Sequence, residues 1–274
     1  TARLRPHAPV IECAAKFKAN AENCHAPIPA VDSVDCVFAV CAAAAPQRGW
    51  SALCSTEPPP AVLYATTFDD GVFGADWSQQ DRTGGTIEVA DDALNLTFAE
   101  IVPGRQRLRS TTTYLFRNFD YSVTAAATAG PLNNGYGVVF RQFDEQTYYL
   151  FLVSSDGWYS VWRELPEGFI ALSAWIPSEA INQGVDGEIN RLRVTAQGDT
   201  FRFYVNDEPL MLCIPDDPGG ESTYTNECIG GTMQDTLTDD SIPVGRLGVA
   251  IETIIDGGMA AQFDNAVVMG VPES

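Results

Sequence analysis

Residues 136–173 carry the pattern that most constrains the fold of this chain. In this stretch, which reads YGVVFRQFDEQTYYLFLVSSDGWYSVWRELPEGFIALS, apolar residues alternate with polar or aromatic ones. Turn-forming residues, such as the pair Asp156 and Gly157, divide it into short segments. Successive side chains of a β-strand point to opposite faces, so the alternation predicts paired strands with one buried and one decorated face.

The same rhythm on both sides of this stretch predicts an all-β domain. Turn signals at 197–199 and 206–207 separate the segments, as β-hairpins require. One helical turn is expected near 178–182. The predicted strands cover residues 87–89, 93–98, 106–110, 121–127, 137–143, 148–153, 158–163, 191–197, 200–205, 246–252 and 260–269. So many short strands favour a two-sheet sandwich of the jelly-roll type.

Charge and composition divide the chain near residue 60. The first sixty residues carry five bases and five acids, so the net charge of −20 arises entirely from residues 61–274, whose bases are all arginine. A run of three prolines, 58–60, forms a stiff spacer at the boundary. We therefore predict an extended N-terminal arm, 1–60, and a β-sandwich, 61–274.

The acidic sandwich excludes two classes of partner. Its surface repels nucleic acid and anionic membranes. No stretch of the sequence approaches the roughly 18 continuous apolar residues of a membrane span. Neutral glycans, basic proteins and divalent cations remain as candidate partners.

The arm is rich in cysteine, alanine and proline, and it is too sparse in large apolar residues to form a core alone. Its five cysteines are Cys13, Cys24, Cys36, Cys41 and Cys54. Disulfides are expected to tie such a segment, in a pairing that stays open, and they indicate an extracellular or cell-surface setting. No Cys-x-x-Cys pair supports zinc. The start at Thr1, without an initiator methionine, predicts a secreted chain with a processed N-terminus.

The other two cysteines, Cys213 and Cys228, fall in an acidic insertion at 213–243. A bond between them would close a loop of about 15 residues, which stabilises the fold by roughly 3 kcal/mol in the chain-entropy model. Seven cysteines cannot all pair within one chain, so an odd thiol is left buried or bonded to another molecule.

Within the arm, alternation places Val34, Phe38 and Val40 on one face of an extended segment. Such an apolar face is expected to be buried against another protein surface. It is expected to contact either its own sandwich or a neighbouring subunit, and the second arrangement would make the protein a homopolymer joined through its arm.

One face of the central hairpins is the candidate ligand site. If the residues at 149, 151 and 153 face the core, pleating directs Arg141, Tyr148, Trp158 and Trp162 to the opposite face. Aromatic rings there could stack on sugars, and Arg141 could bond hydroxyl groups. Two leucines at the centre of the same face, at 150 and 152, favour a covered protein contact instead, and both interpretations stay open.

Five segments give the chain a resemblance to a known fold family: FDDGVFGADW (68–77), the stretch from 136 to 164, INRLRVTAQGDTFRFYVND (189–207), GRLGVAIET (245–253) and AQFDNAVV (261–268). Over residues 64–271 the chain resembles the concanavalin A-like, LamG-like jelly-roll domains related to family-16 glycoside hydrolases. The resemblance implies a sandwich of two antiparallel sheets, found mostly in non-catalytic surface modules. It also implies a structural calcium where the first and last strands meet, at Asp69, Asp70 and Asp264.

Catalysis is not supported by the motifs. A family-16 active site has carboxylates at alternate positions of one strand, and no Glu-x-Asp-x-Glu run occurs. Both histidines lie in the arm, so the sandwich cannot hold a Ser-His-Asp triad. We predict a non-catalytic extracellular recognition or structural protein that binds glycan or protein and has no cofactor beyond calcium. The alternatives are a filament or surface-layer subunit and a glycoside hydrolase.

Overall fold

The computed structural model describes residues 60–69, 76–80, 84–98, 105–254 and 258–271. The arm contact residues Val34, Phe38 and Val40 lie outside this part of the chain, as does Asp70. The described residues form the following strands: β1 (Val62–Thr66), β2 (Trp77–Gln80), β3 (Thr86–Ala90), β4 (Ala93–Phe98), β5 (Gln106–Thr112), β6 (Phe119–Ala129), β7 (Gly135–Asp144), β8 (Thr147–Ser154), β9 (Trp158–Leu165), β10 (Gly168–Pro177), β11 (Asn190–Gln197), β12 (Thr200–Val205), β13 (Glu208–Pro209), β14 (Leu212–Pro215), β15 (Thr223–Tyr224), β16 (Cys228–Ile229), β17 (Gly231–Gln234), β18 (Leu237–Thr238), β19 (Arg246–Thr253) and β20 (Met259–Met269).

Two large antiparallel sheets form the sandwich. The nine-stranded sheet follows the order β13-β12-β11-β6-β20-β4-β3, with β1 beside β20 and β18 beside β12. The seven-stranded sheet follows the order β10-β9-β8-β7-β19-β5-β2. Two small ladders, β14-β17 and β15-β16, lie within the insertion. The expected sandwich of two antiparallel sheets is confirmed, and the described residues include no helix long and apolar enough to cross a membrane.

The core lies between the facing sides of the two sheets. Tyr149, Phe151 and Val153 of β8 are fully buried in it, as their alternation predicts. Across the interface, the ring of Phe151 lies 5.2 Å from that of Phe203 on β12, in a tilted contact. Aromatic pairs of this kind join the sheets, and they fix which face of the seven-stranded sheet points outward.

The outward face of the seven-stranded sheet is strongly concave. Strand β5 is five positions from β10 in the sheet order, a separation of roughly 24 Å in a flat sheet with a strand spacing of about 4.8 Å. Nevertheless, the guanidinium carbon of Arg107 on β5 lies 3.4 Å from the ring centroid of Phe169 on β10. Side chains from these strands meet only because the sheet curls toward itself.

Glycines on the concave side permit this curvature. A Cβ added to Gly137 on β7 would lie 2.0 Å from the carbonyl oxygen of Phe151, and one added to Gly248 on β19 would lie 2.1 Å from that of Ser110. These distances are far below van der Waals contact, and the obstructing atoms belong to the main chain. Glycine within a strand marks such close approaches of backbone.

We expect Gly137→Ala to lower the free energy of unfolding by about 3 kcal/mol or more, because the added methyl must push β7 away from β8. Urea denaturation of the two forms measures the difference. The matched control is Gly270→Ala, where a Cβ would meet its nearest neighbours at 3.6 Å or beyond, and this change should cost less than about 1 kcal/mol. Equal stability of the two variants would contradict the role given to curvature.

Candidate functional site

An aromatic and arginine stack crosses the concave face. Phe169 lies parallel to Trp162, with ring centroids 4.7 Å apart and an interplanar angle of 3°. Arg107 covers Phe169 so closely that it must lie on the ring face opposite Trp162. Arg105 lies beside both rings, with its guanidinium carbon 4.9 Å from the ring centroid of Trp162 and 5.5 Å from that of Phe169. Cations over aromatic faces are attracted by the ring quadrupole, so this stack holds the two ends of the curled sheet together.

Two carboxylates are bound to the stack. Arg107 donates through Nε to Glu252 Oε2 and through Nη1 to Glu164 Oε2, the second bond measuring 3.1 Å. Arg105 Nε lies 3.2 Å from the other oxygen of Glu252, whose side chain is only 1% exposed. Burial acts to lower the pKa of Arg107, but attraction to Glu252 outweighs it and the pKa is raised. Both carboxylates are thereby held as ion pairs.

The centre of the concave face is closed. Leu150 and Leu152 are fully buried, and Tyr148 is 2% exposed. The guanidinium of Arg109 lies 4.0 Å from the Tyr148 ring centroid, and burial raises the pKa of the Tyr148 hydroxyl. The expectation that Leu150 and Leu152 lie on a covered part of the sheet agrees with this arrangement. An open aromatic platform centred on Tyr148 does not.

The accessible part of the concave face lies at one side of the sheet, along β9 and β10. A pocket of about 470 Å³ separates these strands from the insertion. Its sheet wall carries the aromatic side chains of Trp158, Trp162, Phe169 and Trp175, and its other wall carries Glu221, Ser222, Thr223 and Tyr224. The volume lies in the range of small-molecule sites, and the combination of aromatic surface with a few polar groups is typical of them.

The insertion wall is held in place by covalent and hydrogen bonds. The predicted Cys213–Cys228 disulfide is present and closes the loop that supplies this wall. The Cys213 amide donates to Ser173 Oγ on β10 at 3.1 Å, and Ser222 Oγ donates to the Cys213 carbonyl at 2.7 Å. A loop tied at both ends and at its middle presents its side chains to the sheet at a fixed distance.

A second cavity, of about 240 Å³, continues the pocket along β10. The two share Ile170, Ala171, Gly219 and Gly220. The far end is acidic, because Asp216 and Asp217 line it. Together the cavities form a cleft that follows one strand, a shape that suits an extended ligand.

Of the four residues predicted to bind ligand, Trp158 and Trp162 line the pocket and Tyr148 is covered. Arg141 is a correction. A β-bulge follows Phe140, and Arg141 has a φ of +49°, which removes it from the alternation. Its guanidinium is fully buried, lies 4.6 Å from the Phe201 ring and donates to the carbonyls of Ile242, Arg117 and Gly198. It therefore links loops and is not free to bind a ligand.

Two parts of the site were missed from sequence. The first is the row Arg105, Arg107 and Arg109, whose alternate spacing was visible at the start of a predicted strand. The second is β10, because register shifts after Ala171 and Ser173 change which side chains face outward and bring Trp175 to the pocket. Glu164 also belongs to this site, since it lies on β9 and pairs with Arg107.

The predicted calcium ligands lie at a separate acidic cluster. Asp69, Asp91, Asp92 and Asp264 line a cavity of about 360 Å³. Burial raises the pKa of the Asp264 carboxyl, and repulsion from Asp69 and Asp92 adds to this. Both Asp264 oxygens accept bonds from Asn265, and Asp69 accepts one from Thr67. Within the described ranges no three potential metal ligands are grouped closely enough to hold a metal ion. Asp70 lies outside those ranges, so the calcium site stays a prediction.

No family model and no curated protein matches this sequence. Several solved structures are similar to the structure of this chain. A protein of unknown function with a galectin-like fold from Bacillus subtilis is 13% identical, with a TM-score of 0.51, and the match covers 78% of this chain and 98% of that one. A structure described under endo-acting O-glycanases of the human gut microbiota is 10% identical, with a TM-score of 0.51 and coverages of 77% and 100%.

A further match is the GH43 protein BlXynB from Bacillus licheniformis, at 13% identity and a TM-score of 0.50. It covers 82% of this chain but only 41% of that larger chain. Likeness at such low identity shows the fold alone. The fold is the concanavalin A-like jelly-roll that the sequence motifs resemble.

The acidic cluster yields a prediction about pH. A raised carboxyl pKa means that ionised Asp264 destabilises the fold, a penalty present above the folded-state pKa and lost as pH falls through the unfolded value. We expect Asp264→Asn to raise the melting temperature by about 1 to 2 °C at pH 7, with a gain that shrinks in acid. Calorimetry with EDTA and with about 1 mM calcium checks both points. Stabilisation by calcium of the wild type alone would instead establish Asp264 as a ligand.

Proposed function

We propose that this protein recognises a glycan in the pocket between β9, β10 and the insertion, without cleaving it. The observation that carries the proposal is the pocket itself, whose sheet wall presents three tryptophans and whose loop wall presents Glu221 and three hydroxyl side chains. Sugar rings have apolar faces that stack on aromatic surfaces and hydroxyl rims that need polar partners. The continuing cavity gives room for a second sugar unit.

The fold supports the same proposal. One similar structure is described under endo-acting O-glycanases, and another as a GH43 protein. A jelly-roll of this kind is therefore compatible with glycan ligands, while the choice between binding and hydrolysis depends on the residues of this chain.

The chemistry of the carboxylates favours binding without hydrolysis. Glycoside hydrolysis needs one protonated carboxyl as acid and a second carboxylate as base or nucleophile. Glu164 and Glu252 lie on the concave face, but both are ion-paired to Arg107. Glu252 is also buried. Their engagement in these ion pairs supports binding without hydrolysis.

An extracellular or cell-surface location is part of the proposal. The Cys213–Cys228 disulfide holds the loop wall of the pocket, so the site depends on a bond that persists in oxidising compartments. Assembly through the N-terminal arm remains a separate proposal, since its contact residues lie outside the described part of the chain.

Replacing Trp158 tests the pocket. A glycan array identifies a ligand, and calorimetric titration then compares Trp158→Ala with the wild type. We expect affinity to fall by about ten-fold or more, because aromatic anchors in pockets dominate binding energy. The matched control is Tyr204→Ala, which removes a half-buried ring from the outer side of the other sheet and should leave affinity unchanged. Equal loss in both variants would refute the assignment.

The same titration settles catalysis. The bound oligosaccharide should be recovered intact by mass spectrometry after prolonged incubation. Cleavage by the wild type that disappears in Glu164→Gln would replace the binding proposal with a glycosidase.

Removing the disulfide should separate stability from recognition. The double change Cys213→Ala with Cys228→Ala increases the conformational entropy of the unfolded chain. It should therefore lower the free energy of unfolding by roughly 3 kcal/mol. At a temperature where the variant stays folded, its affinity for the glycan should also fall, because the loop wall is no longer fixed. Unchanged affinity would show that the insertion does not contribute to the site.

A further inference from the structure

A row of three arginines lies along the concave face, with Arg105 directly before β5 and Arg107 and Arg109 on it. Arg105, Arg107 and Arg109 all face the concave side, and they are three of the eleven arginines that residues 61–274 contain, with no lysine among them. Among the residues that the structure describes, two carboxylates, Glu164 and Glu252, pair with this row. In a domain that carries the whole net charge of −20, this is a local surplus of positive charge.

The surplus is located at the two outer arginines. Arg107 is saturated by its carboxylates. Arg109 donates to the Glu145 carbonyl and lies on the Tyr148 ring, and among the described residues no carboxylate side chain pairs with it. Burial lowers the pKa of Arg109, and repulsion from Arg107 adds to this. Arg105 is 33% exposed and uses only Nε, toward Glu252, within the described part of the chain.

Arg105 lies beside the pocket. Its guanidinium carbon is 4.9 Å from the ring centroid of Trp162, which forms part of the sheet wall. The single acidic side chain among the lining residues, Glu221, is on the opposite wall. The pocket is therefore polarised, with its cationic side at the sheet and its anionic side at the loop.

We propose that the ligand is an acidic glycan, whose carboxylate or sulfate group ion-pairs with the Nη atoms of Arg105 while an adjacent sugar stacks in the pocket. This inference rests on the proposed function and names the class of its ligand. Arginine suits the task because its planar fork binds both oxygens of such a group.

The test titrates the full-length protein with three oligosaccharides of equal length: an oligogalacturonate, a chondroitin sulfate oligomer and a neutral xylo-oligosaccharide. We expect binding to at least one acidic oligomer, weakening as sodium chloride rises because salt screens the ion pair. Arg105→Gln should reduce this affinity roughly ten-fold, since hydrogen bonds to charged groups are stronger than neutral ones. Arg105→Lys should restore part of it. The two acidic arms separate carboxylate from sulfate.

The matched control is Arg202→Gln, on an exposed residue of β12 in the other sheet, which should change neither affinity nor salt dependence. A melting temperature close to that of the wild type shows that Arg105→Gln has not loosened the stack. Binding of the neutral oligomer alone, equal in wild type and Arg105→Gln, would overturn the acidic class and leave glycan recognition standing. No binding to any glycan, here or on the array, would overturn both.

Discussion

The curvature of the seven-stranded sheet is the constraint on which the rest of the structure depends. Without it, β5 and β10 would be too far apart for Arg107 and Phe169 to touch. Two features produce it together. Glycines on β7 and β19 allow neighbouring backbones to approach on the concave side, and the cation–π stack, neutralised by buried Glu252, favours the curled state once it has formed. The first removes a steric barrier and the second supplies attraction.

The curvature decides where a ligand can bind. Curling brings the β5 arginines over the central hairpins. Tyr148, Leu150 and Leu152 are therefore buried, and the middle of the face is not accessible to a ligand. The open surface is displaced to β9 and β10, where the outer side of the edge strand faces the insertion. An insertion at any other edge would not meet the tryptophans. The disulfide, the Ser173 bond and the curled sheet thus define one pocket between them.

The local alternation of apolar residues was enough to predict the fold, but it did not predict the curvature of the sheet. The two-residue repeat of a β-strand correctly predicted which residues of β8 and β9 face the core. The bounds of β4 and β12 were also predicted as observed. The Cys213–Cys228 bond followed from spacing within one loop. The failures share a cause, which is a break in the alternation. The bulge after Phe140 buried Arg141, and the shifts in β10 hid Trp175. Contacts between strands five positions apart have no local signal at all.

The distribution of arginine gives the site its chemical character. Three arginines elsewhere in the sandwich each pair with a carboxylate: Arg163 with Asp239, Arg191 with Asp207 and Arg193 with Asp120. In the row formed by Arg105, Arg107 and Arg109, the described residues provide two carboxylate partners, and Arg105 lies beside a tryptophan that lines the aromatic pocket. In an otherwise acidic protein that repels anions at long range, a short-range cation of this kind would select among ligands that stacking has already brought close. In the proposed binding mode, affinity comes from the rings and selectivity from the charge.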